Sequence, residues 1–298
     1  MTSSLPTFPK IRYWYWRGWK IRYWAQAAAQ PSDPPAPPLL LLHGFGASLN
    51  QWRYNLSPLA QHRAVYALDL LGFGKSQKAA TLFSSDLWSA QVYDFWKLWI
   101  GCPVVLVGHS LGALVVLNSA VTYPNMVSRL VMLTLPAARE ELLTGWVEFV
   151  SRSIERFFST PLLIRPLFNF VRQPWVIRGA LQGIYQIQER VDADLVKQFV
   201  QPTHDRGAAR TLCYLVRSRT EPQFTPKTKQ LIPQLTVPAL VLWGEADQVI
   251  PLAWGEQISP LNPLVTLIKI PGVGHCLYDE TPELINQHIL AWLAETRV

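Results

Sequence analysis

Short apolar runs alternate with helical patterns along most of the chain. Leu39–Leu42, Val104–Val107 and Ala239–Trp243 are continuous apolar runs of strand length. Strands without polar positions are typical of parallel sheets, in which both faces are covered. A helical pattern capped by serine occupies Ser84–Ile100, between the first two of these runs. The alternation therefore predicts an α/β fold, with a mostly parallel central sheet flanked by helices.

Two segments depart from this alternation. Ile11–Trp16 and Trp19–Trp24 alternate aromatic or β-branched residues with polar ones, which predicts an N-terminal β-hairpin. Residues 136–226 show helical patterns and no strand pattern. We therefore predict that residues 1–135 and 227–298 form one core, into which residues 136–226 are inserted as a helical cap, or lid.

A glycine-flanked serine follows the second apolar strand. The run Gly108-His109-Ser110-Leu111-Gly112 leads into a segment that is apolar nearly all round, which indicates a buried helix. A serine on a sharp strand-to-helix turn is the nucleophile arrangement of many hydrolases, and glycines flank it because the turn is tight. Ser110 is the predicted nucleophile; the alternative is a structural serine in a glycine-marked turn.

An acid and a base follow in the chain order that this chemistry requires. Asp247 comes shortly after the strand Ala239–Trp243, with Glu245 as its nearby competitor. The loop after the predicted strand Leu130–Leu135 has no carboxylate before Glu140, which favours Asp247. His275 follows the predicted strand Val265–Ile270 and a glycine-containing turn.

The other five histidines are weaker candidates for the base. His43, His62, His204 and His288 have contexts typical of structural or surface histidines, whereas His109 could contact the substrate.

Serine requires partners because its hydroxyl is a poor nucleophile at neutral pH. A histidine can accept the serine proton and later return it, and a buried carboxylate orients the imidazole. Backbone amides must then bind the oxyanion that develops on the substrate. We assign these amides to Leu111, directly after the nucleophile, and Phe45, in the turn after the first apolar strand.

The composition narrows the class of protein further. The chain has 298 residues, of which 49% are hydrophobic, and it has only three cysteines, Cys102, Cys213 and Cys276. This count indicates neither a disulfide framework nor a metal site, so we predict no metal and no cofactor. No secretory signal and no spanning apolar segment are visible, so we predict an intracellular protein that is not secreted.

Aromatic residues and positive charge both concentrate in the predicted cap. Trp146, Phe149 and Phe157 are candidate substrate-binding residues and indicate an apolar pocket. The net charge is +7 and is concentrated in two segments: residues 1–24 carry five cations and no acidic residue, and residues 151–180 carry five arginines against one glutamate. No nucleic-acid motif accompanies this charge. We therefore predict peripheral contact with an anionic membrane surface, or an apolar and negatively charged substrate.

The whole chain resembles an α/β-hydrolase, and within that superfamily it is similar to the chlorophyll dephytylase and pheophytinase-like group. His109 stands where that group often has asparagine. The stretches that carry the resemblance are Trp14–Tyr23, His43–Ser48 with Trp52-Arg53, Val65–Ser76, Gln201-Pro202 with Gly207-Ala208, and Gly274–Cys276 through Pro282-Glu283.

The resemblance implies hydrolysis of the phytyl ester of a chlorophyll-type pigment, by a protein that is soluble or associated peripherally with a photosynthetic membrane. Ser110 would attack the ester, His275 would protonate the departing phytol, and Asp247 would orient His275. Several alternatives stay open: a general carboxylesterase or lipid-ester hydrolase, a hydrolase of carbon–carbon bonds, and a non-catalytic ligand-binding protein of the same fold. The oligomeric state does not follow from the sequence.

Overall fold

A computed structural model describes residues 11–32, 35–142 and 161–295, and its centre is one eight-stranded sheet. The strands are β1 (Ile11–Trp16), β2 (Trp19–Gln26), β3 (Leu39–Leu42), β4 (Val65–Leu68), β5 (Val104–His109), β6 (Val127–Leu133), β7 (Ala239–Gly244) and β8 (Val265–Ile270). Their order across the sheet is β1-β2-β4-β3-β5-β6-β7-β8. Strand β2 is antiparallel to both β1 and β4, whereas all other neighbours are parallel. The predicted α/β fold with an N-terminal hairpin is confirmed.

Helices cover both faces of this sheet. They are α1 (Leu56–Leu59), α2 (Ser85–Trp99), α3 (Leu111–Thr122), α4 (Arg139–Leu142), α5 (Pro161–Val171), α6 (Pro174–Ile184), α7 (Ala193–Val200), α8 (Ala208–Arg219), α9 (Thr228–Leu231), α10 (Leu252–Ile258), α11 (Leu277–Glu280) and α12 (Pro282–Glu295). Short 3-10 helices lie at Leu49–Trp52, Pro124–Met126, Gln188–Arg190, Gln201–His204, Ile232–Gln234 and Ser259–Leu261.

The apolar strands are buried on both faces, and successive side chains enter two different cores. Leu40 and Leu42 pack in the core that includes residues of α2 and α3. Leu39 and Leu41 pack in the opposite core, with residues of α1 and α12. All four leucines are fully buried, which explains why this strand has no polar position.

Strand β6 ends earlier than the sequence pattern indicates. The apolar run predicts a strand to Leu135, but the strand stops at Leu133, and Thr134 adopts a φ of 47°. The Thr134 amide still donates to the Leu242 carbonyl in β7, at 2.9 Å. Because a left-handed residue cannot continue a strand, the chain turns out of the sheet here and enters the region predicted as the cap.

The described residues between β6 and β7 form helices, turns and loops. Helices α6 and α7 pack around a small apolar cluster that includes Leu181, Leu195 and Cys276, the residue after His275. Trp146, Phe149 and Phe157, the predicted substrate-binding aromatics, lie outside the described residues. No helix in the described parts of the chain is long and apolar enough to cross a membrane.

The strand order places a crevice next to β3. Strand β3 lies between β4 on one side and β5 on the other, so successive units wind outward in opposite directions. In such sheets, ligands bind beyond the carboxyl ends of the strands at the point where the winding reverses. His43 follows β3 and Ser110 follows β5, so both lie at this edge of the sheet.

Candidate active site

Ser110 occupies a strained turn between β5 and α3. Its φ is 52° and its ψ is −115°, values that residues other than glycine rarely adopt. The Ser110 amide donates to the Leu133 carbonyl at 3.0 Å, and the Ser110 carbonyl accepts from Ala113 at 2.8 Å. A methyl group on Gly108 would collide with the Gly112 backbone, and one on Gly112 would collide with the carbonyl oxygen that ends β3. The two glycines therefore permit the turn that presents Ser110.

His275 and Asp247 form a buried pair. His275 Nδ1 donates to Asp247 Oδ2 at 2.8 Å, which leaves Nε2 free of this contact. The other oxygen, Asp247 Oδ1, accepts from the amides of Val249 and Ile250 at 2.8 and 2.9 Å. These bonds fix the orientation of the carboxylate and, through it, that of the imidazole ring. Glu245, the competing acid, is exposed to solvent.

His109 lies behind His275. Only 3% of His109 is exposed, and its Nε2 donates to the His275 carbonyl at 3.0 Å, with the two rings 4.8 Å apart. Burial and the neighbouring His275 hold the pKa of His109 well below its ordinary value, so the ring is neutral. The structure thus places His109 under the His275 backbone, and its contact with a substrate stays a prediction. The same contacts bring the Ser110 turn and the His275 loop together.

The amides of Phe45 and Leu111 are the predicted oxyanion-binding groups. They make no hydrogen bond within the described residues. The turn that carries Phe45 is held by His43, whose Nδ1 donates to the Gly44 carbonyl at 2.8 Å and whose Nε2 accepts from the Leu70 amide at 3.1 Å. His43 is fully buried, and burial lowers its pKa, which keeps Nε2 available as an acceptor. His43 therefore supports the turn from below.

A buried carboxylate anchors the same turn at its far end. Asp69 Oδ1 accepts from the Leu49 amide at 2.7 Å, and Oδ2 accepts from the Lys75 amide at 2.7 Å. Arg22 Nε lies 2.8 Å from Asp69 Oδ2, and both side chains are almost completely buried. This ion pair connects the N-terminal hairpin to the segment that follows the Phe45 turn.

The loop that carries His275 is also joined to the predicted cap. The His275 amide donates to the Ile184 carbonyl at 3.2 Å. Four residues further along, the fully buried Asp279 receives Arg53 Nε at 2.9 Å and the Tyr185 hydroxyl at 3.0 Å. Arg53 Nη1 also donates to Asp192 Oδ2 at 2.9 Å. We call Arg53, Asp279, Asp192 and Tyr185 the Arg53 cluster. It connects the predicted cap to the loop that carries His275.

The charges of the Arg53 cluster stabilise one another. Burial alone would lower the pKa of Arg53, but its contacts with Asp279 and Asp192 raise it above the ordinary value. Burial raises the pKa of Asp279, and the hydrogen bond from Arg53 opposes that rise. Each group is therefore favoured as an ion only while its partner is present.

A cavity of about 360 Å³ opens in front of Ser110. Its walls are mainly apolar, from Phe45, Leu111, Leu114, Phe224 and Val249 among others, but Arg139 and Arg219 also line it. On the other side of Phe45 lies a smaller cavity of about 100 Å³, lined by residues that include Phe73, Phe168, Leu212 and Leu215. Phe45 lines both cavities, and its apolar ring is 45% exposed.

Metal-binding side chains do not converge in the described ranges, where no three His, Cys, Asp or Glu residues come together. Cys213 and Cys276 are buried free thiols, and Cys102 is an exposed one. Burial raises the pKa of Cys276 well above its ordinary value, so this thiol beside His275 is protonated and unreactive.

Sequence reasoning missed the Arg53 cluster and the two cavity arginines. Arg53 and Asp279 are 226 positions apart, and no periodicity relates them. Arg219 is the last residue of helix α8 in the predicted cap. From sequence, a cation at such a position is most simply interpreted as a solvent-exposed surface residue. The one sequence signal for Arg53 is that the dipeptide Trp52-Arg53 belongs to the family resemblance. That signal does not indicate which side chains Arg53 contacts.

Known proteins share this architecture over most of their length. The profile of the alpha/beta hydrolase family matches residues 39–288. The uncharacterized hydrolase YugF of Bacillus subtilis is 26% identical over 268 residues, covering 86% of this chain and 90% of that protein. Epoxide hydrolase 3 of Xenopus tropicalis is 27% identical over 275 residues, covering 88% and 73%. A crystal structure of a membrane phospholipase A has a TM-score of 0.75 at 24% identity, covering 96% of this chain and 86% of that one.

Proposed function

The chain belongs to the alpha/beta hydrolase family, and we propose that it is a serine hydrolase that cleaves carboxylic esters of large apolar compounds. One observation carries this proposal: Ser110 sits on a strained turn at the end of β5, and the turn contacts the His275–Asp247 pair through His109. Strain of this kind persists only where the surrounding structure enforces it, and it is concentrated at functional sites.

The proposed reaction has two halves. Ser110 Oγ attacks the ester carbonyl carbon while His275 Nε2 accepts its proton, and the amides of Phe45 and Leu111 hold the oxyanion. The intermediate collapses, the C–O bond to the alcohol breaks, and His275 returns the proton to the departing alkoxide. Water then attacks the acyl-serine with His275 as base, and the acid is released. Asp247 stabilises the imidazolium in both halves.

The serine favours an ester over an epoxide as the substrate, although a relative is named an epoxide hydrolase. A serine that opened an epoxide would form an ether, which water does not cleave under these conditions. A serine that attacks an ester forms a new ester, which the same histidine can hydrolyse. The amides of Phe45 and Leu111 also suit the carbonyl oxygen of an ester, which becomes negative when the serine attacks.

We further propose a phytyl ester of a chlorophyll-type pigment as the substrate. This rests on the resemblance of the stretches around Trp14–Tyr23 and Val65–Ser76 to the dephytylase group, together with the mainly apolar cavity in front of Ser110. A long isoprenoid alcohol gains free energy from apolar walls in proportion to the area that it buries. Arg139 and Arg219 would donate hydrogen bonds to polar groups of the pigment, the acid part of the ester. Lipid esters and simple esters are the alternative substrates within the same mechanism.

Product analysis tests both levels of the proposal. Purified protein is incubated with detergent-solubilised chlorophyll and, separately, with p-nitrophenyl esters of short and long chains. Ser110→Ala is the test variant, and Ser57→Ala, an exposed serine on α1, is the matched control. Removing the nucleophile is expected to reduce turnover by several orders of magnitude, whereas the control should match the wild type.

Each outcome has a distinct meaning. Chlorophyllide from the wild type and the control, but not from Ser110→Ala, supports the pigment ester and its nucleophile together. Nitrophenol without chlorophyllide keeps the serine hydrolase and refutes the pigment. If no ester is cleaved by any form of the protein while the wild type and Ser110→Ala bind the pigment equally, the chain is a ligand-binding member of its family.

A further inference from the structure

Helices α5 and α6 expose a continuous apolar surface that no other described residue covers. Leu167, Phe170, Val171 and Trp175 are 47%, 54%, 43% and 65% exposed. We call these four residues the cap face. The rings of Phe170 and Trp175 meet edge to face, with their centroids 5.4 Å apart, so the two helices contribute to one patch. Contiguous apolar surface of this kind marks an interaction site more often than scattered single residues do.

Cations lie beside the cap face along the chain. Residues 161–188 contain Arg165, Arg172 and Arg178 and no aspartate or glutamate. Next to Trp175, a groove of about 480 Å³ between α6 and α7 is lined by Arg178 and Lys197 together with apolar residues that include Val196 and Val200. Aromatic residues beside cations, with an apolar face turned outward, are the pattern of helices that lie in the interface of an anionic bilayer.

We propose that the cap face is the surface by which this protein docks on anionic phospholipid membranes. Phe170 and Trp175 would enter the headgroup region, and the arginines would contact lipid phosphates. A second copy of the chain fits less well, because two such surfaces would bring like charges together. The proposal is independent of which ester the protein cleaves.

The position of α5 relates this surface to the proposed active site. Its inner face buries Ile164 and Phe168, and Phe168 lines the small cavity beside Phe45. Leu167, Phe170 and Val171 of the same helix are exposed. Helix α5 thus contributes both to the membrane-docking surface and to the small cavity beside Phe45, which suits a substrate dissolved in the lipid.

The N-terminal hairpin is the competing surface and provides the control. Ile11, Tyr13 and Tyr15 of β1 are 48%, 48% and 71% exposed, and cations are also present in this region. Several of these cations are engaged locally, however: Lys20 lies 3.9 Å from the centre of the Tyr13 ring, and Arg17 pairs with Asp94 at 3.5 Å. Arg178 of α6 also has a local partner, because its Nη1 donates to the Val191 carbonyl at 3.0 Å. We place the docking surface on the cap face because the exposed rings of Phe170 and Trp175 form one patch across two helices, in a segment, residues 161–188, without acidic residues.

Vesicle flotation tests the assignment. The protein carries Ser110→Ala so that lipid hydrolysis cannot affect the result, and binding is compared on phosphatidylcholine vesicles with and without phosphatidylglycerol. We expect binding to the anionic vesicles at about 0.1 M salt and its loss at about 1 M, where the Debye length falls to about 3 Å. Phe170→Ser/Trp175→Ser should weaken binding about tenfold or more. Arg172→Gln/Arg178→Gln should weaken it about fivefold for each charge.

Tyr15→Ser is the matched exposed-aromatic control and should bind like the parent protein. The assignment is wrong if Phe170→Ser/Trp175→Ser binds as tightly as the parent, or if Tyr15→Ser weakens binding as much. Equal binding to neutral and anionic vesicles also overturns it. If light scattering shows a dimer that Phe170→Ser/Trp175→Ser dissociates, the occupant of this surface is a second copy. None of these outcomes depends on ester hydrolysis.

Discussion

Replacing Arg53 with methionine tests whether the Arg53 cluster stabilises the site. The substitution retains an apolar stem of similar length and removes every hydrogen bond of the guanidinium. The side chain of Asp279 is fully buried. Within the Arg53 cluster, it would then keep one hydrogen bond, from the Tyr185 hydroxyl. Breaking a buried ion pair by removing one member costs about 3–5 kcal/mol, because the remaining charge is not compensated. We expect the free energy of unfolding to fall by about this amount.

Two further variants separate the buried charge from the loss of packing. Arg53→Met/Asp279→Asn also removes the carboxylate charge, while the amide oxygen can still accept from Tyr185. This double variant should therefore be more stable than Arg53→Met alone. Asp192→Asn is the matched control, because Asp192 is the second carboxylate that Arg53 contacts. Because Asp192 is 41% exposed, its loss should cost about 1 kcal/mol or less.

Urea unfolding, followed by tryptophan fluorescence at several pH values, measures these differences. Burial already raises the pKa of Asp279, and loss of Arg53 should raise it further. The folded variant then binds a proton more readily than the unfolded chain, so its deficit relative to the wild type should shrink as the pH falls. The reasoning is refuted if the deficit is below about 1 kcal/mol, if it does not change with pH, or if the double variant is no more stable than Arg53→Met.

Three other predictions follow from the site. Asp247→Asn should lower kcat for a p-nitrophenyl ester by up to about 10⁴-fold without changing the circular dichroism spectrum, and near-normal turnover would move the acid role elsewhere. Gly112→Ala should cost at least about 2 kcal/mol, because its methyl group would press on the carbonyl that ends β3, whereas Gly183→Ala has open space and should unfold no more easily than the wild type. His43 and His109 have pKa values lowered by burial, so the folded protein binds fewer protons than the unfolded chain, and their contribution to stability is lost as the pH falls below about 6.5. His109→Gln should reduce that slope by up to about 1.4 kcal/mol per pH unit, and an unchanged slope in urea titrations would contradict this.

The elements of the core could be predicted because their signals are local. Leu39–Leu42 and Ala239–Trp243 are apolar at every position, as both faces of the sheet require, and the structure places strands there. The hairpin follows from the alternation in Ile11–Trp16 and its partner strand. The end of β6 could not be predicted, because the apolar run continues past Thr134 while the backbone turns away from the sheet.

The sequence alone located Ser110, Asp247 and His275 as candidates, because each follows a strand whose carboxyl end reaches one edge of a parallel sheet. Only the tertiary structure decided what surrounds them. It placed His109 beneath the His275 backbone, joined Arg53 to Asp279, and brought Arg219 to the cavity in front of Ser110. Contacts between residues more than 100 positions apart leave no periodic trace, since each partner taken alone fits an ordinary surface or core position. Local pattern thus determines which strands form and where their ends carry chemistry, whereas the packing of distant segments determines which side chains support that chemistry.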